Sequence, residues 1–415
     1  MALMWSTYAT EQLLQQGNAI FLRVGSAVNF AFAGVCVLAV LNALRAGKYR
    51  GWRLTPEAWT CMGLFFFVCL SYLWSVSPEN TWKHIEQNLP YLGAFILIMP
   101  LCATDAKQLR LVVNTTVILG AIILLGHGFS GYGRRSVILA IEAGKTLEGN
   151  PLAVATYSGY VGICALFSIY GRKFSPLIAL KGAIFLLAAY VIVRSSSRGQ
   201  LIALAAVSFL WLPIIARATM KRSTILAFLG AIVIVGAFIY TIDQLKDTGR
   251  WQAAHYETAT IGRLEMSMTL LDYWWKKGAG AWLLGLGSSS SYKIVGFYPH
   301  NVPAEVLGEE GLIGFSIYLA FIYYVLSRAG KIMFSPMLST EGRVNLGILL
   351  AIFCFEGILT LKQGSLIGNC GWFGVGLTIG WITSQMQADV KRSKREQFRT
   401  QMHQGFLHAP PQAAR

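Results

Sequence analysis

The sequence predicts an all-α polytopic membrane protein, and three observations carry that reading. Of its 415 residues, 55% are hydrophobic and only 13% are charged, where a soluble domain carries roughly 25% charged residues. The mean hydropathy is +0.52. Apolar runs recur from one end of the chain to the other, each long enough to cross about 30 Å of hydrocarbon.

Taken in order, the runs fall at roughly 25–44, 57–75, 88–104, 110–128, 151–170, 177–193, 200–216, 224–241, 302–327, 344–361 and 370–386. A further run at 8–24 is weakened by Arg23 and a Gln-rich start, so the expectation is 11–12 transmembrane helices. The first 20 residues lack the basic n-region and small-residue cleavage site of a cleavable signal peptide. The net charge of +16 would suit nucleic acid in a soluble protein. Here it follows from the excess of Lys and Arg in cytoplasmic loops, and no nucleic-acid partner is expected.

Basic clusters set the orientation. Arg45/Lys48/Arg50/Arg53, Lys107/Arg110, Arg172/Lys173, Arg217/Lys221/Arg222, Arg328/Lys331 and Lys391/Arg392/Lys394/Arg395 fall in alternate loops, which are assigned to the cytoplasm. The other side then receives 76–87, 129–150, 194–199, the long connection 242–301 and a short loop near 362–369. Residues 1–390 form one transmembrane helical domain including loop 242–301, and 391–415 reads as a disordered basic cytoplasmic tail. Within 242–301, Leu264, Met268, Leu271 and Trp275 recur at helical spacing beside a polar face of Glu265, Asp272 and Lys276. This predicts an amphipathic helix lying on the bundle or in the interface. The seven cysteines lie in or beside apolar segments without CxxC spacing, as buried thiols do.

External cations break the sorting rule and need reasons. "VRSSSRGQ" (193–200) carries Arg194 and Arg198, which share a face if the stretch is helical. They either snorkel to lipid phosphates or line an anion site. Arg198 has the stronger claim, because Gly199 permits close approach. Arg263 opens the amphipathic helix, where it either adds to an anion site with free N–H groups or pairs with Glu257. His300 and Asn301 follow Tyr298-Pro299 at a helix start. His300 is either a boundary residue or a general base, since its unperturbed pKa suits proton transfer near neutrality. On a straight helix Glu309 would face away from His300. Gly308, Gly311 and Gly314 suit close helix packing. No Walker loop, Rossmann glycine pattern or DxD motif is present, and His255, Glu257, His300 and Glu305 match no familiar metal spacing. No metal and no cofactor are expected.

Three pieces together resemble the O-antigen ligase and polymerase superfamily: "SSSRGQLIAL" (195–204), "IGRLEMSMTLL" with "GLGSSSSY" (261–292), and "HNVPAEVLGEEGLIG" (300–314). "WSVSPENTW" (74–82) and "GNPLAVATY" (149–157) are weaker landmarks. The resemblance spans roughly 57–386. It implies a GT-C-type bundle with a large periplasmic loop, in the inner membrane of a Gram-negative bacterium. The implied donor is glycan on undecaprenyl diphosphate, and the implied acceptor is lipid A–core for a ligase or another lipid-linked glycan for a polymerase. Membrane lipids are the remaining partners. Carried over by motif, Arg198 and Arg263 bind diphosphate and His300 is the base, with Asn301 and Gly199 in support; Arg194 lies outside the shared motif and is added on charge alone. Glu305 departs from the glutamine of many relatives.

The residue types suit metal-independent, inverting glycosyl transfer, ligase before polymerase. Guanidiniums can meet the charge of a diphosphate leaving group, and a histidine can take the proton of the attacking hydroxyl. A lipid-linked oligosaccharide transporter or flippase would use the same arginines without bond breaking. The clustering of charge at one external face favours an enzyme.

Overall fold

Every long apolar run among the described residues is helical, and no strand forms among them. In hydrocarbon each backbone polar group must be paired within its own segment, which helices achieve. The structure is a computed structural model that describes residues 54–102, 106–129, 151–170, 176–195, 197–219, 224–245 and 253–407, with single positions between 34 and 45. The apolar run 25–44 falls largely outside the described residues, and 8–24 lies wholly outside them.

The helices are α1 (Pro56–Leu70), α2 (Pro78–Leu92), α3 (Ala106–Phe129), α4 (Pro151–Phe167), α5 (Pro176–Arg194), α6 (Arg198–Thr219) and α7 (Thr224–Leu245). Then follow α8 (Ala253–Lys276), α9 (Ala279–Leu284), α10 (Ser291–Ile294), α11 (Val302–Met333), α12 (Thr340–Thr360) and α13 (Cys370–Leu407). Among the described residues six stretches are long and apolar enough to cross a membrane: Pro56–Trp74, Gln108–His127, Pro176–Arg194, Arg198–Thr219, Val302–Met333 and Thr340–Thr360. Leu152–Phe167 and Ile232–Thr241 are shorter apolar helices. Phe66, Leu73, Ile118, Leu186 and Val233 are exposed on these elements, as lipid-facing side chains are. The protein is therefore an all-α polytopic membrane protein.

α6 packs on α7 and α12, and α11 packs on α1 and α13. Between α11, α12 and α13 lies an aromatic core in which Trp372 stacks on Phe353 at 4.9 Å between ring centroids. Its indole N–H donates to Phe353 O at 2.9 Å, so burial of the ring leaves its N–H paired.

The run 88–104 continues α2, π-helical over Gly93–Ile98 and α-helical again over Met99–Leu101. One element differs from the sequence expectation. The basic tail is helical as far as Leu407, where a disordered extension was expected. Lys, Arg, Glu and Gln are good helix formers, and Arg392 pairs with Glu396 one turn on. Cys61, Cys164 and Cys370 are buried free thiols as expected, while Cys102 and Cys354 are half-buried and Cys69 is exposed.

The glycine run of α11 has a specific consequence. Gly311 has φ +62 and breaks the helix into two. A Cβ at this position would lie 2.4 Å from Gly285 N, so only glycine fits. The kink frees carbonyls that the helix would otherwise engage, and the loop after α9 takes them up. Leu286 N donates to Gly308 O at 3.0 Å and Gly287 N to Glu309 O at 2.8 Å.

Candidate active site

The "GLGSSSSY" stretch is a docking loop. Beyond the two backbone bonds, the buried Glu309 carboxylate accepts from Ser289 N at 2.6 Å and Ser291 N at 2.8 Å. Ser71 Oγ accepts from Ser288 N at 2.9 Å, and Ser75 Oγ donates to Ser288 O at 2.7 Å. The "WSVSPENTW" stretch thus meets the serine loop and the kinked helix. Glu309 is committed to backbone N–H groups rather than to His300, in line with the expectation that the two do not pair.

α8 carries this assembly on one face and an apolar surface on the other. Leu270 and Trp274 pack with Leu286. Of the stripe read from the sequence, Leu264, Met268 and Trp275 are exposed, while Leu271 is partly buried against the Leu270–Trp274–Leu286 cluster. The helix both lies on the bundle and presents an apolar face outward, the geometry of an interfacial helix.

Arg263 is not at the start of this helix. α8 begins at Ala253, so the anion-attracting helix end is remote from Arg263 and that part of the sequence reading is overturned. The reason is that 253–262 continues the helical pattern instead of forming a loop. The guanidinium of Arg263 instead donates to Lys362 O at 3.0 Å. One turn on, Ser267 Oγ donates to Arg263 O at 3.0 Å and reaches Pro299 O at 3.4 Å. This ties α8 to the turn that presents His300.

His300 has φ +58, a left-handed conformation uncommon for a residue with a side chain. Two neighbours hold it there. Pro299 precedes it, and Asn301 caps α11 by accepting from Ala304 N at 3.1 Å, with Pro303 in the first turn. The ring of His300 lies edge-on to Tyr298 at 4.4 Å between centroids. Burial, and then the Arg263 charge, lower its pKa from the ordinary histidine value, so the imidazole is neutral at pH 7.

Arg194 and Arg198 do not share a helical face. α5 ends at Arg194 and α6 begins at Arg198, because serine side chains compete for the backbone between them; Ser195 Oγ donates to Ile192 O at 2.7 Å. Both arginines are half-buried. Gly199 does permit close approach, but to Lys362: a Cβ at Gly199 would lie 2.0 Å from Lys362 Cε.

Lys362, which the sequence reading passed over, joins the pieces. Its Nζ donates to Gln200 Oε1 at 3.1 Å, and Gln200 Nε2 donates to Gln363 Oε1 at 3.0 Å. Burial, and then Arg263, lower the Lys362 pKa to about 8. Among the described residues neither Arg263 nor Lys362 is ion-paired. A lysine in the short loop that the basic clusters assign to the external side breaks the sorting rule just as Arg198 does, and that signal was available. Among the described residues no group of three or more His, Cys, Asp or Glu is placed to hold a metal.

The fold and this region together define an all-α membrane bundle with cations and a neutral histidine gathered at one end. Residues 183–319 match the family model described as O-antigen ligase, consistent with a member of the O-antigen ligase and polymerase superfamily. The match supports a role in ligating or polymerising O-antigen polysaccharide. It runs from α5 into α11 and includes Arg194, Arg198, Arg263 and His300, but not Lys362. No curated protein matches the chain.

Proposed function

We propose that this protein is an O-antigen ligase that moves glycan from undecaprenyl diphosphate to lipid A–core at the periplasmic face of a Gram-negative inner membrane, through a GT-C-type bundle. The observation that carries the reading is the meeting of Arg263 and Lys362 with the Arg198–Gly199 start of α6 beside His300, in a segment largely covered by the family match.

In the proposed reaction a hydroxyl oxygen of the acceptor sugar attacks the anomeric carbon of the donor. The bond from that carbon to the diphosphate oxygen breaks, and its electron pair leaves with undecaprenyl diphosphate. His300 takes the hydroxyl proton as the new bond forms and later releases it to water. General bases of this kind contribute typically 10²–10⁴-fold. Arg198, Arg263 and Lys362 meet the charge that grows on the diphosphate; preorganised donors at developing charge are often the largest catalytic term. Arg194 adds longer-range positive potential. No step requires a metal, and a single displacement inverts the anomeric centre. Repeat-unit polymerisation would use the same groups with a lipid-linked glycan as acceptor.

The test is transfer by purified protein in EDTA, with lipid-linked glycan and lipid A–core, for wild type and His300→Ala. Glycan on lipid A–core with wild type, reduced at least 100-fold in the variant, is the expected result. Longer glycan on the carrier instead would make the protein a polymerase. Equal rates in the two proteins would remove His300 as the base.

A further inference from the structure

Behind the cationic cluster lies an open cavity of about 300 Å³ between α2, α4, α12 and the start of α13, at the lower end of the range for small-ligand sites. Its lining is mixed. Tyr91 offers aromatic surface and the buried Trp372 forms part of the wall, while Asn88, Gln363, Asn369 and Glu356 offer amides and a carboxylate. We infer that this cavity is a saccharide subsite, which seats a sugar of one of the two lipid-linked substrates next to the reacting centre. The inference rests on the proposed glycosyl transfer and extends it to the site of glycan recognition.

Three features carry it. The first is position: Gln363 and Thr156 line the cavity, and both lie within hydrogen-bond distance of Gln200, at 3.0 and 3.4 Å. Gln200 also accepts from Lys362 and immediately follows Arg198–Gly199, so one side chain separates the cavity from the cationic cluster. The second is chemistry. Each amide presents a donor and an acceptor together, which suits vicinal hydroxyls, and the exposed ring of Tyr91 suits the C–H face of a pyranose. A polyprenyl chain would have no use for the three amides. The third is rigidity. The Glu356 carboxylate is held by the hydroxyl of Tyr160 and retains acceptor capacity. Trp372 is fixed by its stack on Phe353 and its bond to Phe353 O. Asn369 is pinned by donation to Ser365 O at 2.7 Å.

The test measures binding of three lipids to the full-length protein in nanodiscs: the lipid-linked repeat unit, lipid A–core, and glycan-free undecaprenyl diphosphate. Wild type is compared with Tyr91→Ala and Glu356→Gln. Tyr91 is largely exposed, so its truncation opens no core. The expected result is at least tenfold weaker binding of one sugar-bearing lipid by each variant, with unchanged affinity for the glycan-free carrier. Loss on the repeat unit assigns the subsite to the donor, and loss on lipid A–core assigns it to the acceptor. Unchanged affinities for both sugar-bearing lipids would overturn the inference. Equal weakening of the glycan-free carrier would also overturn it and give the cavity to the prenyl chain. Failure of wild type to transfer glycan bears on the reaction instead, because these binding measurements do not depend on turnover.

Discussion

The two ends of the bundle treat their cations differently. At the end near the α11–α12 connection, Arg328 is ion-paired with the buried Glu57 and also donates to Ser384 Oγ at 2.9 Å. Nearby, Arg343 donates to Ala218 O at 2.7 Å and Ser335 O at 2.9 Å, and Arg110 pairs with Glu341 at 2.9 Å. At the end near His300, among the described residues, Arg263 and Lys362 are partnered by a carbonyl and an amide oxygen, and the Arg263 charge lowers the pKa of both Lys362 and His300. Cations that hold a fold are matched by carboxylates or several carbonyls. The cations proposed to meet an anionic ligand are positioned by neutral acceptors, with no carboxylate partner among the described residues.

Substitutions at the two ends should therefore fail in different ways. The largest effect on turnover is expected for Arg263→Ala: about 10²–10³-fold lower rate, as for loss of one donor at a developing charge. Its thermal unfolding midpoint should stay near that of wild type, because no carboxylate is left unpaired. At the other end, Arg328→Ala abandons Glu57 in the core and should cost about 3–5 kcal/mol, seen as a lowered unfolding midpoint and faster proteolysis. A large loss of stability in Arg263→Ala, or none in Arg328→Ala, would break the comparison.

Gly311→Ala is expected to act between these extremes. Holding a side chain at a left-handed position costs of order 1–3 kcal/mol, and the added methyl meets the backbone of the docking loop. Stability and transfer should fall together, measured by thermal unfolding and initial rate. Activity falling without stability would indicate that the serine loop itself touches substrate.

The smallest effect is a pH limb. His300 must be neutral to accept a proton, and its pKa lies below the ordinary value of about 6.5, so activity should rise through that lower pH. Lys362 must be charged to meet diphosphate, and its pKa of about 8 predicts a fall above pH 8. Lys362→Arg should move only the alkaline limb upward, since a guanidinium stays protonated. An unmoved alkaline limb would remove Lys362 from the site.

Much of this was legible in the sequence because its signals are local. Apolar runs fix helices through backbone pairing in hydrocarbon, and Arg198, Arg263 and His300 stand out as charge or imidazole where the sorting rule forbids or the chain turns. What could not be read depends on contacts distant in sequence. The kink at Gly311 needs the backbone of Gly285 pressed against it. The role of Glu309 needs the serine loop folded back over it. Gly199 reads as an open approach for ligand until Lys362, from a loop more than 160 residues away, fills that space. Arg194 and Arg198 share a helical face only if the serines between them stay helical, and those hydroxyls prefer the backbone.

The proposal that the cations near His300 are held for a diphosphate is tested most directly by the affinity of glycan-free undecaprenyl diphosphate for wild type, Arg263→Ala, Lys362→Ala and Arg328→Lys in nanodiscs. The expected result is at least tenfold weaker binding for the first two variants and wild-type affinity for the third. Equal affinity in all four proteins would overturn the assignment of these cations to the diphosphate.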